Sequence, residues 1–258
     1  MAAKLEVQAL GKSFGDDVTA LRGVDLVVGD GEIVSIVGPS GCGKSTLLNI
    51  LAGLQRPSAG SVLFDGVRPD TLLGVTGYMP QRDCLMPWRT VLDNCTLGLE
   101  LAGVPRRAAR DRARAELDRF GLLGFEDHWP ASLSGGMRQR AALLRTFLAG
   151  RDVLLLDEPF ASLDALTRWQ MRAWLLDVWD AARTTIVFVT HDVEEAVYLS
   201  DRVYVMSGRP GTVILEVTIG LPRPRTPAAV VTPAFAALQE RLLAPLMSAA
   251  TSQPEAGA

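Results

Sequence analysis

The chain has 258 residues, 48% hydrophobic and 21% charged, which is enough apolar material for one large folded domain. Its 26 basic and 29 acidic residues give a formal net charge of −3, which excludes nucleic-acid binding by bulk charge. The three cysteines, Cys42, Cys84 and Cys95, exclude a disulfide framework and show no metal-ligand spacing, and no apolar run approaches the ~18 residues of a membrane span.

In chain order, KLEVQAL near the N-terminus alternates roughly as a strand, with turn signals at 15–17 and 29–31. This N-terminus lacks the long apolar segment of a secretion signal, so the expectation is a reduced, cytosolic compartment. EIVSIV (32–37) reads as a buried strand, TLLNILAGL (46–54) as a helix, and GSVLFDG (60–66) as a strand entering a turn. From 82 to about 150 the character changes. PRRAARDRARAELDRFGL, from 105, is rich in Ala and Arg and predicts a helix with its arginines on a solvated face, part of a helical insertion. DVLLLDEP (152–159) and TTIVFVTHD (184–192) are buried strands flanking a predicted helix at 165–182. Strand, helix, strand with continuous apolar strands means a parallel sheet with crossover helices, so the fold class is α/β. After 207 the pattern decays. LPRPR (221–225) reads as a linker, 232–247 as an amphipathic helix capped by Thr232, and the last dozen residues as disordered. In that helix Phe235, Leu238, Leu242 and Leu246 share one face.

In such sheets chemistry sits at the carboxyl ends of the strands. There the sequence places GPSGCGKST, which fits the P-loop pattern through Gly38, Gly43, Lys44 and Ser45 between a strand and a helix. Pro39 begins the loop, the backbone N–H groups of Ser40, Gly41 and Cys42 can ring phosphates, Lys44 supplies positive charge, the Ser45 hydroxyl suits Mg²⁺, and Thr46 opens a helix whose dipole favours an anion. Asp157 ends a strand and can hold Mg²⁺, while Glu158 can polarise an attacking water. Alone, an acidic pair after an apolar strand only marks a strand end, and the P-loop beside it favours the catalytic reading. His191 ends the next strand, as a γ-phosphate or water contact or as a plain hydrogen-bonded histidine. Gln81 ends a strand-like stretch and could orient water or ligate Mg²⁺. His128 reads as a surface residue.

A second phosphate-like stretch, LSGGMRQR (133–140), stands about ninety positions after the first. The order GPSGCGKST, Gln81, LSGGM, LLLDEP, ASLD, His191 resembles the nucleotide-binding subunit of ATP-binding cassette (ABC) transporters over roughly residues 4–215. The resemblance implies a P-loop ABC ATPase fold with a mostly parallel sheet core, an N-terminal antiparallel β subdomain and an inserted helical subdomain. Its domain would run over 4–218, followed by a linker, short helix and tail over 219–258. It makes LSGGM the signature motif, Asp164 part of the D-loop and His191 the switch histidine. Phe14 stands where an aromatic stacks on adenine, although its other reading is a core aromatic. In the family two copies dock head to tail, so Ser134, Gly135 and Gly136 would close over ATP held by a second copy.

QRDCLMPWRTVLDN (81–94) is similar to the same region in importers of nitrate, sulfonates, taurine and thiamine precursors. There it meets the membrane subunit, and Trp88 and Leu85 would supply contact unless they pack inside the subdomain. The implied partners are transmembrane permease subunits, a second copy of the chain and, indirectly, an extracytoplasmic solute-binding protein, with no nucleic acid. The implied place is the cytoplasmic face of the membrane, peripherally bound, with ATP and Mg²⁺ as ligands. The rival reading is a soluble ABC-type ATPase in an assembly process such as iron–sulfur cluster assembly.

Overall fold

A computed structural model describes residues 3–15 and 18–251. Its central sheet holds six strands in the order β5 (Gly77–Met79), β6 (Val153–Asp157), β7 (Thr185–Thr190), β3 (Ile33–Val37), β8 (Arg202–Met206) and β9 (Val213–Thr218). Every pair is parallel except β8–β9. A separate antiparallel sheet of β2 (Val18–Gly29), β1 (Ala3–Phe14) and β4 (Ala59–Phe64) lies N-terminal in origin.

The parallel strands are apolar throughout because both faces are covered. Val34, Ile36, Val153, Leu155, Val187 and Val189 face one core, shared with the antiparallel sheet and helix α1 (Lys44–Leu51). Their alternating neighbours Ile33, Val37, Leu154, Leu156, Ile186 and Phe188 face the other. That second core is closed by α5 (Gly135–Leu148), α6 (Ala165–Ala182), α7 (Val193–Leu199) and α8 (Pro233–Thr251).

Between β5 and β6 the chain is helical: α2 (Val91–Cys95), α3 (Leu97–Leu101), α4 (Arg106–Leu117) and then α5. Ala109, Ala113 and Leu117 form the buried stripe of α4 at helical spacing. Arg106, Arg107, Arg112 and Arg114 are exposed, as a solvated face requires, and the arginines of this stretch also make ion pairs and hydrogen bonds. Arg106 and Arg110 both pair with Asp93, at 3.1 and 3.0 Å, and Arg119 donates to the Val178 carbonyl at 2.5 Å.

The C-terminal segment is anchored rather than trailing. Arg225 is buried and donates to the carbonyls of Val197, Tyr198 and Ser200, capping the end of α7, while Arg223 pairs with Asp201 at 2.7 Å. Burial holds the Arg225 guanidinium down at about 10. Thr232 Oγ1 accepts from Phe235 N at 3.3 Å, and Phe235 and Leu242 are fully buried. α8 continues through Pro245 to Thr251, four residues past its expected end, and the rest of the expected disordered tail lies outside the described residues.

Candidate functional site

The P-loop follows β3 directly and its glycines are needed sterically. Gly43 has φ 108°, and a Cβ there would lie 2.9 Å from the Ala20 carbonyl oxygen. A Cβ at Gly38 would meet Cys42 Sγ at 2.9 Å. Cys42 is buried, and burial pushes its thiol up, so it is an inert filler. Lys44 is also buried, and its Nζ donates to the carbonyls of Gly38 at 2.8 Å and Pro39 at 3.0 Å. The hydrogen bonds of this buried ammonium go to neutral oxygens, so a phosphate in front of the loop would add favourable opposite charge. α1 begins at Lys44, two residues earlier than expected from sequence, so its first N–H groups face the same space.

That space is a cleft of about 310 Å³ lined by Phe14, Ser40, Gly41, Gly43, Lys44, Ser45, Thr46, Glu158 and Arg209, in the size range of small-molecule sites. Phe14 is 43% exposed on the cleft wall, with Lys12 Nζ 5.0 Å from its ring centroid, so it is not a core aromatic. A larger groove of about 520 Å³ at the opposite ends of the strands holds Lys4, Arg151 and Arg183 and none of the candidate residues.

The sheet order brings three more candidates to the cleft edge. Ser45 Oγ donates to Asp157 Oδ1 at 3.2 Å. Burial raises the Asp157 carboxyl above its usual range, and the Ser45 hydrogen bond opposes that shift. A hydroxyl and a carboxylate together are hard oxygen donors that fit Mg²⁺. Among the described residues no group of three or more His, Cys, Asp or Glu could hold a metal. Glu158 has φ 46°, the left-handed region that a non-glycine residue rarely adopts, and its N–H donates to Val189 O at 3.0 Å. Two groups converge on its Oε2: Gln81 Nε2 donates at 3.3 Å and His191 Nδ1 lies at 3.3 Å. The carboxylate at the cleft is thus aimed from both sides.

Ser134, Gly135, Gly136 and Asp164 do not join this cleft. Ser134 caps α5, accepting from Met137 N at 3.2 Å, and Gly135 and Gly136 form the first turn. Asp164 caps α6, accepting from Thr167 N at 3.0 Å, and those bonds to Thr167 hold its carboxyl below the usual range. The two helix starts are neighbours, since a Cβ on Gly136 would lie 2.8 Å from Thr167 Cγ2. One chain therefore displays a P-loop cleft and, elsewhere, a helix start with an exposed serine, a half-buried glycine and a buried glycine packed against α6.

Sequence reasoning missed several residues whose partners are distant in the chain. Arg209 donates from Nε and Nη2 to the Gly41 carbonyl at 3.2 and 3.1 Å. Its loop is pinned to β2 through Gly211 N to Ala20 O at 2.8 Å. Arg138 links α5 to the segment after Gln81 through Asp83 at 3.2 Å, and Arg145 donates to the carbonyls of Asp83 and Cys84 at 2.7 Å. Leu85 is buried in the core, while Trp88 is 71% exposed, so only Trp88 is free to touch a partner. His128 is exposed, as expected from sequence.

A parallel sheet opening into a P-loop, faced by strand-end carboxylates, defines a P-loop nucleotide-binding protein. Residues 21–161 match the family described as ABC transporter. An uncharacterized ABC transporter ATP-binding protein of Methanocaldococcus jannaschii is 48% identical over 87% of this chain and 85% of its own. A nitrate import ATP-binding protein of Synechocystis is 43% identical over 84% of this chain and 83% of its own. An aliphatic sulfonates import ATP-binding protein of Burkholderia ambifaria is 47% identical over 92% of this chain and 70% of its own. Among solved structures, the cbiO1 part of an ABC transporter complex from Clostridium perfringens matches with TM-score 0.76 and 29% identity, over 85% of this chain and 90% of that one. A dimeric ATP-binding cassette in a post-hydrolysis state with ADP and Pi matches with TM-score 0.72 and 31% identity, over 83% of this chain and 98% of that one. The chain belongs to the ABC transporter family and carries its ATP-binding cassette.

Proposed function

We propose that this chain is the ATP-hydrolysing subunit of a membrane importer for a small solute, acting as a head-to-tail pair. The observation that carries the reading is the split just described: Glu158 lines the P-loop cleft, while Ser134, Gly135 and Gly136 are not among its lining residues. In the pair, one chain's Ser134 hydroxyl and glycine N–H groups would close on the γ-phosphate held by its partner's Lys44. The dimeric cassette with ADP and Pi supports such an assembly.

Within each site, Gly41 to Thr46 and Lys44 hold the phosphates and Phe14 offers a stacking face to adenine. Ser45, Asp157 and the Gln81 amide oxygen would hold Mg²⁺, which when bound neutralises charge between the β- and γ-phosphates. Glu158 takes a proton from the attacking water as its oxygen bonds to the γ-phosphorus and the bond to ADP breaks. Gln81 and His191 keep Glu158 in line. Asp164 sits beside the paired site and would join the interface.

The nitrate and aliphatic sulfonate relatives suggest a small anionic solute. Exposed Trp88, with LMPWRTVLDN around it, is the surface proposed to meet a transmembrane permease subunit. No helix among the described residues is long and apolar enough to cross a membrane, so permease chains would form the path, with an extracytoplasmic binding protein delivering solute. The chain would then sit peripherally on the cytoplasmic face. The test is a pull-down of this chain from gently solubilised native membranes. Recovery of a multi-span membrane protein is the expected result, and recovery of soluble partners alone would overturn the importer reading.

A further inference from the structure

Resting on the ATPase reading above, we propose that Arg172 is a positioning residue for hydrolysis, clamping the loop that carries His191 onto helix α6. Arg172 is 2% exposed and its guanidinium meets three carboxylates: Asp192 at 2.6 Å from Nη2, Glu194 at 3.1 Å from Nη1 and Glu195 at 3.3 Å from Nε. All three belong to the turn that begins α7, directly after His191. A planar fork of fixed donors can engage three acceptors at once, which a lysine ammonium on a flexible stem cannot do in this geometry. Trp169 lies 5.5 Å from the guanidinium carbon and is itself held edge-on by Tyr198 at 5.1 Å. The fork is therefore oriented from behind.

The consequence falls on Asp192. Its N–H donates to Thr190 Oγ1 at 3.0 Å, its Oδ1 accepts from Glu195 N at 3.1 Å, and its Oδ2 accepts from Arg172. Arg168, one turn earlier on α6, adds a second cation 4.0 Å from the same oxygen. The first two bonds tie Asp192 to the end of β7 and the first turn of α7, its neighbours in the chain. The Arg172 bond, much shorter than the Arg168 ion pair from the same helix, is the hydrogen bond that ties Asp192 to α6. His191 itself is 59% exposed, with its Nδ1 contact to Glu158 at 3.3 Å, so its aim depends on where its backbone is held. Without the guanidinium, Asp192, Glu194 and the buried Glu195 repel one another, and the loop keeps only the longer Arg168 ion pair to α6. α6 is also capped by Asp164 and packs Thr167 against Gly136, so the clamp ties the His191 loop to the helix that borders the signature glycines.

The test is a double-mutant cycle on the full chain, measuring kcat by phosphate release and ATP affinity separately, with thermal melts to confirm folding. Arg172→Gln should lower kcat roughly 10- to 100-fold, as small misplacements of catalytic groups do, and change ATP affinity less than about twofold. In a His191→Ala background the same substitution should change kcat by less than about twofold, because the group it acts through is gone. If Arg172→Gln fails to fold, Arg172→Lys keeps the charge but reaches fewer carboxylates. It should give a smaller kcat loss, again absent without His191. An equal loss in both backgrounds, or no loss in a folded variant, would overturn the clamp. A wild-type chain that binds ATP but never hydrolyses it would overturn the ATPase reading and the clamp together. An active wild type indifferent to Arg172→Gln would overturn the clamp alone.

Discussion

Lys44 hydrogen-bonds to the P-loop's own carbonyls, and Arg209 reaches in from the far side to hold the carbonyl of Gly41. By holding that carbonyl, Arg209 helps fix the conformation of the loop that lines the cleft. Arg209→Ala should raise the KM for ATP about three- to tenfold, in proportion to a charged hydrogen bond at an exposed site, with kcat at saturation unchanged. Steady-state kinetics over a range of ATP concentrations would check this, and a lower kcat at unchanged KM would contradict it. The P-loop was legible because its spacing is local: eight consecutive residues encode the turn, the cation and the hydroxyl. Arg209 was not, because its target lies 168 positions away and only the sheet brings them together. Arg172 escaped for a related reason. Helical periodicity allots it a place on α6 but says nothing of three carboxylates on another element.

Helix α6 matches its predicted limits at both ends because Asp164 caps one and Arg183, in the left-handed region, stops the other. β8, α7 and β9 were not legible. β9 is an antiparallel edge strand in which Val217 alone is fully buried, so its apolar pattern is weak. The α5–α6 contact makes a prediction about packing. Gly136→Ala should lower the melting temperature, since overpacking costs about 1–3 kcal/mol and outweighs the roughly 1 kcal/mol that Ala gains over Gly in a helix. Adding Thr167→Ser, which removes the clashing methyl, should restore stability to wild type or above. The start of the helical region makes a second prediction. The Glu100 carboxylate accepts from Thr96 Oγ1 at 2.6 Å and pairs with Arg89 at 3.1 Å, and the Thr96 bond first, then Arg89, hold it below 4.5. A depressed carboxylate stabilises the fold above its unfolded value and loses that contribution as pH falls through its folded value. Wild type should therefore melt above Glu100→Gln at neutral pH, and the gap should close as pH drops below 4.5. A gap independent of pH would contradict the assignment.

For the whole molecule, strand order is decisive. β5, β6, β7 and β3 lie side by side in parallel, so Gln81, Asp157, Glu158, His191 and the P-loop emerge along one edge although they span more than 150 positions of sequence. The parallel α/β class was legible from the apolar runs. The anchoring of the C-terminal segment was not, because LPRPR has a linker's composition and becomes part of the fold only when Arg225 finds the carbonyls at the end of α7. The same geometry leaves Ser134, Gly135 and Gly136 outside the cleft, and this is why the account requires two chains. The most direct test is sedimentation of Glu158→Gln with and without ATP, since this variant keeps the phosphate cradle but lacks the base. The account predicts a monomer that becomes a dimer when ATP is saturating, with hydrolysis lost. A variant that binds ATP and remains monomeric at saturation would contradict the shared site.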